Sequence, residues 1–141
     1  MKTRHDSIAI ELVTRLVQPE SPSVPLTATM RYEPSDPFAV TVDFHTGPIT
    51  VVTWTFAREL LRAGVDAPSG EGDVQIWPER LGAGPVTLLV ASSNGRAVFR
   101  LPRRKVLEFL ARTYAAVPLG TESRYVDVDA LIETLAGGAA G

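Results

Sequence analysis

The chain has 141 residues, enough for one domain that buries about two-thirds of its unfolded surface. Apolar residues make up 45% and charged residues 21%, which excludes disorder, and a formal net charge of −2 gives no strong pull toward nucleic acid or acidic membrane. The absence of cysteine excludes a disulfide framework, a thiolate nucleophile and a cysteine-ligated metal.

The start, Met1-Lys2-Thr3-Arg4-His5, is basic, but Glu11 and Arg15 interrupt the apolar run behind it, so it does not read as a signal peptide. No stretch approaches the ~20 apolar residues of a membrane span. A cytoplasmic protein is expected. The first two-thirds reads as antiparallel strands. Ile8, Ile10, Leu12 and Leu16 recur at even positions. Leu26, Ala28, Met30 and Tyr32 share a strand face opposite Thr27, Thr29, Arg31 and Glu33. Phe38, Val40, Val42 and Phe44 alternate with Thr41, Asp43 and His45. A period of two sets one face on a core and the other in water. Proline-bearing stretches at 18–23 and 33–37 predict loops.

Thr46-Gly47-Pro48 predicts a hairpin between this strand and residues 49–56. The latter strand is apolar on both faces, with Ile49 and Val51 on one and Val52, Trp54 and Phe56 on the other. That pattern predicts a central strand or an oligomer contact. A short helix follows over 57–63, ended by Gly64 in a left-handed conformation. Ser69-Gly70-Glu71-Gly72 reads as a flexible turn before a strand over 73–77 that Pro78 stops. Strands over 86–91 and 97–101 are joined by Ser93-Asn94-Gly95, since Asn-Gly suits the positive dihedrals of a tight hairpin. Pro102 starts a helix bearing Val106, Phe109, Leu110 and Tyr114, which Pro118 and Gly120 end. Asp129 caps a last helix with Leu131, Ile132 and Leu135. One domain over 1–136 and a flexible tail over 137–141 are expected. Strands first and helices last is an α+β order.

Chemistry is sparse. Asp43 and His45 share a strand face, but two groups do not make a metal site or a catalytic set. There is no Gly-x-Ser-x-Gly elbow. Gly70-Glu71-Gly72 lacks the third glycine and the Lys-Ser/Thr of a phosphate loop, and leads into a strand rather than a helix. Neither a cofactor nor catalysis is expected. Arg96, Arg100, Arg103, Arg104 and Lys105 form a dense basic cluster, readable as a solvated hairpin arm and first helical turn or as a contact for an acidic protein tail or a nucleic-acid backbone. Cations at a helix start oppose its dipole, which points to some other use. Trp77 is an interface candidate, because Val74 and Ile76 take the opposite face of its strand and tryptophan is enriched at binding hot spots. Arg58, Trp77, Arg96, Arg100, Arg103 and Arg104 are the candidate partner-binding residues.

Several phrases recur together in order. They are Asp36-Pro37-Phe38-Ala39-Val40, Phe44-His45-Thr46-Gly47 and Trp54-x-Phe56-Ala57-Arg58-Glu59-Leu60-Leu61. Gly70-x-Gly72-Asp73-Val74-x-Ile76-Trp77-Pro78 and Ser92-Ser93-Asn94-Gly95 follow, then Phe109-Leu110-x-Arg112-Thr113 and Val117-Pro118-x-Gly120-Thr121-Glu122. This series, within residues 32–135, resembles the SsgA-like family of sporulation-specific cell division regulators in filamentous actinobacteria, and the broadly distributed SsgB-type branch is the one expected. The resemblance implies a strongly bent antiparallel β-sheet with C-terminal helices, Whirly-like, assembled as a trimer. It implies a non-enzymatic regulator at the division septum, with the tubulin-like protein FtsZ and other SsgA-like proteins as partners. The alternative is a single-stranded nucleic-acid binder, since the Whirly fold serves that use in plants. The negative net charge and an aromatic content of 7% argue against it.

Overall fold

A computed structural model describes residues 6–126. The elements run β1 (Ile8–Gln18), β2 (Ser21–Tyr32), β3 (Ala39–His45), β4 (Val51–Ala57), α1 (Arg58–Asp66), β5 (Val74–Arg80), β6 (Ala83–Ser92), β7 (Gly95–Leu101) and α2 (Arg103–Ala116). A short 3-10 turn, Glu122–Arg124, follows α2. The expected helix at Asp129 and the tail from Gly137 lie outside the described residues.

The strands make one antiparallel sheet in the order β4-β3-β2-β1-β7-β6-β5. Alternation in β1 explains its seat: Ile8, Ile10, Leu12 and Thr14 are buried and the residues between them exposed. Thr14 is buried without penalty because its hydroxyl donates to Leu26 O at 3.0 Å. Two meanders, β1–β4 and β5–β7, meet at only two registered pairs, Arg15 with Arg100 and Leu16 with Phe99. There the sheet curls. Phe44 on β3 and Phe99 on β7 are three strand positions apart, about 14 Å in a flat sheet. Their rings stack with centroids 3.9 Å apart, so the two halves close over a common core. Helix α2 caps that core with Val106, Phe109, Leu110 and Thr113, and α1 packs on β5. The expected α+β, strongly bent antiparallel architecture is the one observed.

Several local expectations change. The turn at 18–23 is only Pro19-Glu20, and β2 starts at Ser21 despite Pro22 and Pro25. Strand β3 pairs β2 only between Ala28 and Arg31, so both prolines lie in the part of β2 whose other edge is free. Pro78 likewise does not stop β5, which runs to Arg80 as an edge strand. Strand β4 is not central; it is the other edge, and Val51 and Val52 are exposed. Phe38 leaves the buried face of β3 and is 56% exposed.

Gly64 does not end α1 in a left-handed conformation. It lies within the helix, where a Cβ would stand 2.4 Å from Ile76 Cγ2, so its role is close approach of helix to strand. The turn over 69–72 is set rather than loose. Gly70 takes φ +93° with Val74 O where a Cβ would be, and Ser69 and Ile76 exchange backbone hydrogen bonds at 2.8 and 2.9 Å. The β6–β7 hairpin is present, but Ser93-Asn94 are its two turn residues. The positive φ falls on Gly95, paired with Ser92, and not on Asn94.

Candidate functional site

Arg58 opens α1, directly after the edge strand β4. Its backbone N–H donates to Phe38 O at 2.8 Å, which ends the β3–β4 ladder. Its side chain turns inward and is 2% exposed. The guanidinium donates to Thr113 O at 3.1 Å, Val117 O at 2.9 Å and Glu122 Oε1 at 2.9 Å. It lies 3.9 Å from the Tyr114 ring centroid and 5.0 Å from that of Tyr32. The two carbonyls lie at the C-terminal end of α2, where the helix dipole is negative, and Thr113 O also accepts from the Val117 N–H at 2.8 Å. A planar fork of donors satisfies several acceptors at once, which a lysine ammonium does less well. Burial pushes the Tyr32 hydroxyl up to about 12, and Glu122 is held below the usual glutamate range by backbone amides and by Arg58. Arg58 is therefore a buried tie between α1 and α2, not an exposed contact residue as expected from the sequence.

The basic cluster divides. Arg103 is tied to the scaffold: its guanidinium donates to Gly84 O at 2.8 Å, Val65 O at 3.2 Å and Ala83 O at 3.4 Å. Arg100 is exposed and lies 3.8 Å from Glu79, and Lys105 stands 3.8 Å from Glu108. Arg104 is exposed on the first turn of α2, and Arg96 is exposed beside the β6–β7 turn. Trp77 is half-buried on β5. The register sets Trp77, Thr87, Arg100 and Arg15 in one row across four strands, all on the outer face. The fold thus sets Trp77 and Arg100 in one row with Thr87 between them, apart from the buried Arg58. With Arg103 held by carbonyls and Arg100 facing a carboxylate, the cluster does not form the continuous basic groove that a single strand needs.

Asp43 is committed to its own sheet. It accepts from Arg31 at 2.6 and 3.1 Å and from Thr53 Oγ1 at 2.7 Å, and Arg31 and Thr53 hold its carboxyl below the usual aspartate range. His45 Nε2 lies 3.2 Å from Thr29 Oγ1. Among the described residues no three His, Asp or Glu side chains converge as metal ligands.

The sequence reading missed the concave mouth of the curled sheet. Opposite the end closed by Arg58, an apolar groove of about 360 Å³ opens between the two meanders. Val24 and Leu26 of β2, Val52 and Trp54 of β4, and Ala97 and Phe99 of β7 line it. Val24 is 40% and Val52 is 42% exposed there. The sequence signal was the run over 49–56, with Ile49 and Val51 on one face and Val52, Trp54 and Phe56 on the other; Val52 and Trp54 of the second face line this opening.

The described residues form a seven-stranded antiparallel sheet curled around one core and bound by two helices, with no group of three or more His, Asp or Glu that could hold a metal ion. Residues 26–122 match the family described as "Streptomyces sporulation and cell division protein, SsgA", and the chain belongs to that family. It is 53% identical over 136 residues to a sporulation-specific cell division protein SsgB of Frankia casuarinae, covering 96% of this chain and 95% of that one. The SsgB of Streptomyces coelicolor is 45% identical over 124 residues, 87% of this chain and 90% of the relative. Among solved structures, an SsgA-like sporulation-specific cell division protein from Thermobifida fusca superposes with a TM-score of 0.83 at 41% identity, covering 95% of this chain and 98% of that chain. A structure described as "Mutations in SsgB correlate to longitudinal cell division during sporulation of Streptomyces coelicolor" gives 0.82 at 42% identity, covering 89% and 99%. No helix of the described residues is long and apolar enough to cross a membrane.

Proposed function

We propose that the chain is a non-enzymatic regulator of sporulation-specific cell division that helps position FtsZ at septa through protein–protein contacts. The observation that carries this is the 53% identity to an SsgB over 96% of the chain. The use of polar groups supports it: Arg58, Arg103 and Asp43 are consumed by structure, while apolar surface at the groove and on β4 is left open. Apolar surface exposed in one contiguous place suits protein contact. The regulator acts in the cytoplasm at the division septum, with FtsZ and other SsgA-like proteins as partners, and works as a trimer in line with the family resemblance.

The test is cellular. In a sporulating host lacking its own SsgB, this chain restores regularly spaced ladders of fluorescent FtsZ. Ladders that stay absent while the chain is expressed and folded refute the reading. Light scattering of the purified chain at a trimer mass is the companion result; a monomer overturns that part.

A further inference from the structure

The two edges of the sheet are treated differently by the sequence. Strand β5 carries Gln75, Pro78, Glu79 and Arg80, the proline and charges that discourage strand addition. Strand β4, Val51–Ala57, has neither a proline nor a charge and is made of β-branched and aromatic residues. Its ladder with β3 is complete from Ala39–Ala57 to His45–Val51. The bonds flanking that ladder, Thr46 N–H to Thr50 O and Arg58 N–H to Phe38 O, place its hydrogen-bonded pairs at even-numbered β4 residues. The amides and carbonyls of Val51, Thr53 and Thr55 therefore point to the open edge. The side chains of Val52 and Trp54, between them, face the apolar groove.

Backbone groups and groove are aligned. A strand laid antiparallel along β4 would satisfy the open donors and acceptors, and every second side chain would enter the groove beside Val52 and Trp54. Charge chooses among occupants. Arg96 is the one charged residue lining the mouth, and among the described residues it has no acidic partner. We propose that the β4 edge and the adjoining groove form a docking site for an extended segment of a partner protein, apolar or β-branched at alternate positions and carrying a carboxylate that reaches Arg96. This names the partner chemistry for the protein-binding role proposed above and rests on it.

The test uses the full chain and a synthetic peptide, acetyl-Asp-Val-Thr-Val-Thr-Val-amide, followed by amide and indole NMR. The expected result is saturable shifts of the Val51, Thr53 and Thr55 amides and the Trp54 indole. Thr53→Pro removes an edge donor, leaves the backbone bonds to β3 in place while losing the Thr53 hydroxyl's bond to Asp43, and weakens binding at least about tenfold. Val52→Lys, which leaves the backbone alone, weakens it similarly and guards against misfolding of the proline variant. Arg96→Glu, or lysine for aspartate in the peptide, costs about threefold or more. No saturable response in the parent chain, or equal responses in Thr53→Pro and Val52→Lys, overturns the proposal. So does concentration-dependent broadening of the same amides without peptide, which assigns the edge to a second copy. Nuclear Overhauser contacts from those amides to residues 127–141 overturn it in favour of the chain's own end. Because the probe is not FtsZ, failure here and failure of FtsZ positioning are separable.

Discussion

Replacing Arg58 with alanine tests the tie between the two helices. The side chain is 2% exposed and serves two backbone carbonyls, one carboxylate and two tyrosine rings. Alanine removes the Arg58 donor from Val117 O, leaves Thr113 O with the Val117 amide alone, and takes the cation from Glu122. It also opens a void between Tyr32 and Tyr114. Breaking a buried pair by removing one partner costs about 3–5 kcal/mol, against a total of about 5–15 kcal/mol for a domain. At roughly 4 °C per kcal/mol for a chain of this size, the melting temperature falls by about 12–20 °C. Arg58→Lys keeps the charge but not the fork, and falls between the two. Differential scanning calorimetry, with circular dichroism to confirm the fold at low temperature, measures the series. An alanine variant melting within about 3 °C of the parent refutes the reasoning, because no surface arginine contact is worth more than about 1 kcal/mol.

Gly64→Ala places a Cβ 2.4 Å from Ile76 Cγ2 and destabilises by about 1–3 kcal/mol, although alanine is the better helix former; urea denaturation gives the sign. Acid titration loses stability. Asp43, Glu59 and Glu122 all have carboxyls held below their ordinary range in the fold, so their contribution is complete above about pH 4.5 and disappears as pH falls through their folded values. At the other extreme, Tyr32, pushed up to about 12 by burial, contributes fully below about pH 10, the unfolded value, and its contribution is lost as pH rises through 12. Thermal melts across both ranges check the two limbs. His45→Ala, at an exposed side chain that meets the Thr29 hydroxyl, leaves stability within about 0.5 kcal/mol and sporulation septation intact; loss of septation by a folded variant would revive a catalytic or metal role for Asp43 and His45.

Much of the fold was legible because it is local. The alternation of Ile8, Ile10 and Leu12 reports a half-buried strand whatever it pairs with, and Asn94-Gly95 marks a hairpin even though the turn geometry differs from the expected one. Strand order is not local. Two apolar faces on residues 49–56 pointed to a central strand or an oligomer contact; the strand is an edge, and its inner face lines a groove. Gly64 fits a helix stop and a close approach equally well until Ile76, which packs from another element, is seen. Arg58 and Arg103 looked like surface cations because their acceptors are backbone carbonyls, and a carbonyl has no residue type to read. The row of Trp77 and Arg100 exists only through the pairing register of three strands. The family was legible as an ordered series of phrases, and it is the one to which the chain belongs.

The claim that this chain works by protein contact is tested most directly by co-sedimentation with FtsZ. The purified chain, mixed with GTP-assembled FtsZ polymers and centrifuged, is predicted to enter the pellet saturably, with a fixed ratio of chain to FtsZ at the plateau. A chain that stays in the supernatant at every FtsZ concentration, while remaining folded and free of aggregates, contradicts the account.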